Sequence, residues 1–314
     1  MANGPFFVLA PMDDVTDVVF RSIVAECAPP DMYFTEFVNV DGLQSIGRPK
    51  LIHKLAINKN SDNNIVAQIW GKKPENFRKT SAEIVEMGFD GVDLNMGCPQ
   101  KNEVKNGCCS ALINDRDLAS VLIKAVQKGV DGKIPVSVKT RLGWNEIDLS
   151  WHEFLLEQKI DMLTVHMRTR KEMSSVPAHW EVMKEIVKLR DKISPNTKLV
   201  INGDIETRAQ GLEVAKNTGA DGVMIGRGIF KDPFCFSENS PWESMPPSQK
   251  AELFLKHLNR FQETYVNGER SYQTLKKFCK TYIHGFDQAS DLREKIMQTQ
   301  TAEELVSLLN SVVA

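Results

Sequence analysis

Asp93-Leu94-Asn95-Met96-Gly97-Cys98-Pro99 runs from an apolar stretch into a turn that carries a thiol. Pro99 stiffens the turn. Packing demand past the end of an element is weak, so Cys98 reads as an available thiol, either a nucleophile or a general acid while it stays protonated. A partly buried apolar setting is expected to keep its pKa high. The other reading of a cysteine, a small buried hydrophobe, is adopted for Cys27, Cys235 and Cys279. Cys108-Cys109 has no His or Cys partner at ligand spacing, and no metal is expected.

Lys139-x-Arg141 places two cations on one side of an extended segment. A cation held away from water is costly unless it meets an anion. Lys139 suits the electron-rich pyrimidine edge of a reduced flavin, or it pairs with a carboxylate such as Glu36 or Asp93. Gln68 and His166 either donate to the same ring or are ordinary satisfied polar groups. Asn202-Gly203-Asp204 and Gly226-Arg227-Gly228 are glycine turns. Each alone reads as a tight turn. Together they favour a phosphate, with backbone N–H groups close to the anion and Arg227 adding charge.

These residues need a scaffold that brings them to one place. Eight short apolar runs precede them: Phe6–Ala10, Met32–Thr35, Ile65–Ile69, Gly91–Asn95, Val136–Lys139, Met162–His166, Lys198–Asn202 and Gly222–Ile225. Stretches of helix-permitting length separate the runs. The alternation predicts parallel strands covered by helices, and eight units predict a (β/α)8 TIM barrel. Sites in that fold lie at the C-terminal strand ends, with phosphate on the loops after the last two strands. The expected rim is therefore Pro11-Met12, Glu36, Gln68, Asn95 with Cys98, Lys139 with Arg141, His166 with Arg168, Asn202 to Asp204, and Gly226-Arg227.

The chain has 314 residues, and its surplus over a barrel of about 250 leaves room for one small extra unit. Pro-rich Ser237–Ser248 predicts a linker, dividing a barrel (1–240) from a helical bundle (241–314). Phe254, Leu258, Phe261 and Tyr265 predict a first helix ending at Asn267-Gly268. Leu275, Phe278, Cys279 and Tyr282 predict a second, closed by Gly285. Thr301 and Glu304 form a capping box before a last helix. Arg270, Lys276, Lys277 and Lys280 alternate with Tyr272, Phe278 and Tyr282 without an intervening acid. They read as a solvated face with its aromatics in the core, or as a phosphate-contacting face. A formal net charge of −2 argues against a generally basic nucleic-acid binder but leaves room for such a local patch. No run reaches membrane-spanning length, Met1–Pro5 lacks a secretory pattern, and the six cysteines show no disulfide framework. A monomer in the reducing cytoplasm is expected.

Assembled in order, the motifs resemble the tRNA-dihydrouridine synthase family. The matching pieces are Ala10-Pro11-Met12 with Val15-Thr16-Asp17 and Phe20-Arg21, Thr35-Glu36-Phe37, Gln68, Asp93-x-Asn95-x-Gly97-Cys98-Pro99, Lys139-x-Arg141-Leu142-Gly143, His166-x-Arg168-Thr169, Asn202-Gly203-Asp204 and Gly226-Arg227-Gly228. The resemblance implies an FMN enzyme that reduces C5=C6 of particular uridines in tRNA, with NADPH as electron source. It implies that Pro11, Met12, Asp13, Gln68, Lys139, His166, Asn202, Gly203, Asp204, Gly226 and Arg227 hold FMN. It makes Cys98 the proton donor and sets Asn95 and Arg141 toward the uracil or its ribose-phosphate. Extruding a stacked uridine has a cost that phosphate contacts from Arg168, Arg170, Lys171 and the Arg270–Lys280 helix, with Lys276 and Lys280, are expected to offset. Asp13 and Asp14, Met167, Ser174, Val176 and Cys109 depart from the family's usual small residues, glycines and tyrosine. Two rivals stand beside this reading: a dihydroorotate dehydrogenase-like flavin barrel acting on a free pyrimidine, and a tRNA-binding protein without catalysis.

Overall fold

Eight of nine parallel strands close on themselves in the computed structural model, which describes residues 4–313. Met1-Ala2-Asn3, part of the segment read as lacking a leader, lies outside those residues. The strands are β1 (Phe6–Leu9), β2 (Met32–Phe34), β3 (Val38–Asn39), β4 (Ile65–Trp70), β5 (Gly91–Asn95), β6 (Val136–Arg141), β7 (Met162–His166), β8 (Lys198–Asn202) and β9 (Gly222–Ile225). β1 pairs with both β2 and β9, and β2 pairs with β4, which completes the TIM barrel. The extra strand, β3, is a two-residue extension along the end of β4.

Strand alternation divides the apolar side chains. Phe7 and Leu9 join the core under the helices, whereas Val8, Phe34, Val66, Val200 and Met224 form a separate interior cluster. Among the described residues no helix is long and apolar enough to cross a membrane.

A carboxylate recurs at the base of the barrel. Asp31, directly before β2, accepts from Phe7 N at 2.7 Å, and its own N–H donates to Phe7 O at 2.9 Å. Asp90, before β5, does the same with Ile65, and Asp161, before β7, with Val136. Asp221, before β9, does so with Leu199. Each aspartate thus closes a two-bond clamp across the seams β1/β2, β4/β5, β6/β7 and β8/β9. Among the described residues the four other seams have no such pair.

The segment 237–248 is pinned rather than free. Trp242 is buried between Phe234, Tyr282 and His284, and the Lys250 ammonium lies 5.0 Å from its ring centroid. The helix Pro247–Thr264 buries Phe254, Leu258 and Phe261. Where one second helix was expected, a 3-10 turn (Tyr272–Phe278) leads into a single α turn (Cys279–Tyr282). The tighter turn stacks positions three apart, so Leu275 and Phe278 share the buried side, and Phe278 packs 4.8 Å from Phe20 of the barrel. Ala289–Gln298 adds a helix that the sequence reading missed. Thr301 Oγ1 accepts from Glu304 N at 3.2 Å and starts the last helix, Ala302–Val313.

Candidate active site

A cavity of about 540 Å³ opens at the C-terminal strand ends, and its wall includes Met12, Lys139, Arg141, His166, Asn202 and Arg227. Pro11, Gly203, Asp204 and Gly226 also line it, as does Pro99, next to Cys98. β5 and β6 set Asn95 beside Lys139, so the thiol turn and the lysine share this end of the barrel. A larger cleft of about 830 Å³ lies between the helices Val18–Cys27 and Pro247–Thr264. It brings together neither a thiol nor a buried unpaired cation.

Lys139 is the electrostatic anomaly of the cavity. Among the described residues no carboxylate oxygen lies within 4.0 Å of its Nζ. Burial, helped by the nearby Arg141 charge, pulls its pKa down to about 8, while Asp93 acts in the opposite sense. The carboxylate-pair reading therefore fails: Asp93 is occupied elsewhere, and Glu36 lies at 3.7 Å from Lys54 and 2.8 Å from Arg270. A desolvated cation without a counter-charge favours an anionic occupant.

Beneath the thiol turn runs a closed polar chain. Asp93 accepts from Ser137 Oγ at 2.6 Å and from Gln68 Nε2 at 2.8 Å. Gln68 Oε1 accepts from Asn95 Nδ2 at 3.0 Å, and Asn95 Oδ1 accepts from the backbone N–H of Gly97 (3.1 Å) and Cys98 (2.9 Å). Arg141 closes the loop from above, donating to Gly97 O at 2.7 Å and to Thr169 and Met173 carbonyls. Burial raises Asp93 to about 6, against the hydrogen bonds from Ser137 and Gln68.

Two expectations change here. Gln68, expected toward the cofactor, is fully buried here with its amide bonded to Asp93 and Asn95, and one Nε2 N–H is left over. The Cys98 thiol was expected to stay high. It is instead pulled down to about 7, chiefly by a hydrogen bond with the Cys109 thiol, which outweighs burial.

Around the glycine turns, Trp180 Nε1 donates to Gly203 O at 2.8 Å. A β-carbon on Gly203 would sit 3.2 Å from Ala178 Cβ and 3.3 Å from the His166 ring, and the residue's φ of 121° also calls for glycine. On Gly228 a β-carbon would fall 2.7 Å from Glu206 Cα. Asn202 Nδ2 donates to Met224 O at 2.8 Å. Asp204 accepts from Ala178 N at 3.0 Å and pairs with Arg168 and Arg227. These contacts leave the turns close-packed and net basic, as an anion site requires.

Arg168, Lys276 and Asp13 are each engaged within the chain. Arg168 is 2% exposed, and its guanidinium is held by Val176 O, His166 and Asp204, so it is sealed from a tRNA phosphate. Lys276 is 7% exposed, and its Nζ donates to Met297 O (3.0 Å) and Thr299 O (2.6 Å), where it closes a helix end. Asp13 turns away from the cavity to pair with Lys54. The unexpected acids have a different job. Asp14, Asp17 and Glu36 all pair with Arg270, itself buried, and Lys277 donates to Asp14 O at 2.8 Å. The tail is thereby latched to the barrel rim. Asp13, Asp14 and Glu36 lie close enough together to suggest a cation site, but Lys54 and Arg270 already supply the positive charge. Lys280 and Lys171 remain exposed.

The family described as dihydrouridine synthase (Dus) matches residues 8–313. A probable tRNA-dihydrouridine synthase of Staphylococcus aureus (strain Mu50 / ATCC 700699) is 48% identical over 99% of this chain and 94% of that protein. Probable tRNA-dihydrouridine synthase 2 of Bacillus subtilis (strain 168) is 47% identical over 98% of this chain and 93% of its own length. Among solved structures, morphinone reductase aligns with a TM-score of 0.52 at 11% identity, covering 73% of this chain and 84% of that one. Histamine dehydrogenase from Rhizobium sp. 4-9 aligns with a TM-score of 0.53 at 13% identity, covering 81% of this chain and 48% of the other. These two likenesses are likenesses of fold.

Proposed function

The chain belongs to the dihydrouridine synthase family, and from that premise we propose that it reduces uridines in tRNA to 5,6-dihydrouridine, using bound FMN and NADPH as the source of electrons. The observation that carries the cofactor assignment is Lys139, a half-buried cation without a carboxylate partner among the described residues, on the wall of a cavity that also holds two close-packed glycine turns. NADPH rests on the family resemblance.

FMN, when bound and reduced, supplies the hydride that C6 of the uracil receives. Lys139 would hold its anionic pyrimidine edge, with His166 as a neutral donor. Pro11, Met12 and Asn202 would flank it, and Gly203, Asp204, Gly226 and Arg227 would take its phosphate. Negative charge that develops at C5 and O4 of the uracil calls for a proton, and Cys98 is the donor. Asn95 holds the backbone of the Cys98 turn rather than the base, and Arg141 fixes the same turn from the other side. A uridine stacked in folded tRNA has to be extruded, at a cost of a few kcal/mol. Phosphate contacts from exposed cations such as Lys171 and Lys280, the latter on the helical tail 241–314, offset that cost. A monomer is part of this proposal, and a tRNA substrate fits the cytoplasm. Family membership and the retained thiol set aside the two rivals.

The deciding experiment compares wild type with Cys98→Ala. Both should bind FMN, and the variant should form dihydrouridine about 10²–10⁴-fold more slowly, the range for a lost general acid. Equal turnover removes Cys98 from the reaction, and failure of wild type to bind FMN removes the cofactor assignment.

A further inference from the structure

Cys109 is a second thiol that the proposed reduction does not use. It is fully buried, and its thiol lies near enough to that of Cys98 for each to shift the other's titration. Its φ of 56° lies in the left-handed region. A glycine would hold that backbone without strain, whereas a cysteine there is strained. The strain brings in only the thiol. The neighbouring Ser110 N donates to Cys98 O at 3.2 Å, which ties the two segments together. Cys108, next along the chain, points its sulfur elsewhere, 3.9 Å from Asn106 O.

We propose that Cys98 and Cys109 are an oxidative modification site, closed to a disulfide by a hydroperoxide and reopened by a dithiol. Cys98 is half-buried beside the mouth and Cys109 is sealed, so the peroxide meets Cys98 first. The Cys98 thiolate attacks one peroxide oxygen. The O–O bond breaks, the departing oxygen leaves as water or an alcohol, and Cys98 becomes a sulfenic acid. The Cys109 sulfur then attacks the Cys98 sulfur, the S–O bond breaks, and the hydroxyl leaves as water with the Cys109 proton. Two thiols and one hydroperoxide give one disulfide, one water and one water or alcohol. A nearby resolving thiol is what spares a reactive cysteine from irreversible oxidation. On the reading of Cys98 as proton donor, the disulfide also halts turnover.

The test treats the purified, full-length FMN-loaded protein with hydrogen peroxide and maps unreduced peptides by mass spectrometry, a readout independent of turnover. Wild type and Cys108→Ser should both show the Cys98 peptide linked to the segment around Cys109, with the loss of two hydrogens, and dithiothreitol should release it. In Cys109→Ser the link should vanish, Cys98 should gain two oxygens, and dithiothreitol should recover at least about tenfold less free Cys98 thiol. A link that persists in Cys109→Ser, or wild-type Cys98 that gains two oxygens as fast as the variant, overturns the proposal. If the link forms but Cys98→Ala turns over normally, the proton-donor reading fails while the modification site stands.

Discussion

Arg168 Nη1 lies 3.2 Å from Nε2 of His166. A guanidinium only donates, so the imidazole accepts at Nε2 and carries its proton on Nδ1. Burial, with Lys139 and Arg141 nearby, holds the His166 pKa well below its usual value. The ring is therefore held toward its neutral form, with its one N–H fixed on Nδ1. Arg168→Met frees the ring and leaves Asp204 with Arg227 alone. FMN affinity should fall about tenfold or more, equivalent to about 1.4 kcal/mol. Fluorescence titration measures it, and an unaltered dissociation constant would show that the ring is held by something else.

Turnover should carry an alkaline limb near pH 7. The proton donor must be protonated, and the Cys98 thiol sits at about 7 through the Cys109 hydrogen bond. Raising the pH through that value removes the donor and slows dihydrouridine formation. Cys109→Ala deletes the group that stabilises the thiolate, so the Cys98 pKa rises and the limb moves to higher pH. Single-turnover rates between pH 6 and about 9 decide it; a limb that does not move assigns it to another group.

The eight strands were legible because each is a short apolar run with a polar end, and the rim follows from that list. What was not legible is which rim side chains are already spoken for. Gln68 and Arg168 stand at strand ends like Lys139, yet their partners come from other strands and a distant loop, at sequence separations no local pattern encodes. Asp13 and Asp14 looked out of place because their partners, Lys54 and Arg270, lie far along the chain. The Cys109 contact had no signal beyond an odd residue in a glycine-type position. The aspartates before β2, β5, β7 and β9 recur one residue ahead of a strand, but a lone aspartate there reads as an ordinary turn residue until its partner strand is known.

Lys276 and Lys280 should separate cleanly. Lys276→Ala leaves the Met297 and Thr299 carbonyls unpartnered and should destabilise the fold by about 1–3 kcal/mol, read by chemical denaturation. Lys280→Glu should leave stability alone, weaken tRNA binding and lower its salt slope by about one unit. Loss of tRNA affinity in a folded Lys276→Ala protein, with Lys280→Glu unaffected, would reverse the assignments.

At the base of the barrel, Asp161→Ala removes the 2.8 Å acceptor of Val136 N. The expected loss is about 1–2 kcal/mol, with FMN affinity and turnover retained, because the site lies at the opposite strand ends. An equal loss in Asp161→Asn, which keeps an acceptor oxygen, would show that charge rather than the hydrogen bond matters.

Those four clamps imply a division of labour along the barrel axis. The carboxylates button alternate joints at the floor and leave β2/β4, β5/β6, β7/β8 and β9/β1 unbuttoned there. At the ceiling three of those four joints are where Asn95 meets Lys139, His166 meets Asn202, and Leu9 meets Ile225, each leading into the cavity rim. Whatever fills the mouth and touches both sides of these joints acts as a suture for the half of the wall that the floor leaves open, so occupancy and resistance to unfolding are two faces of one contact.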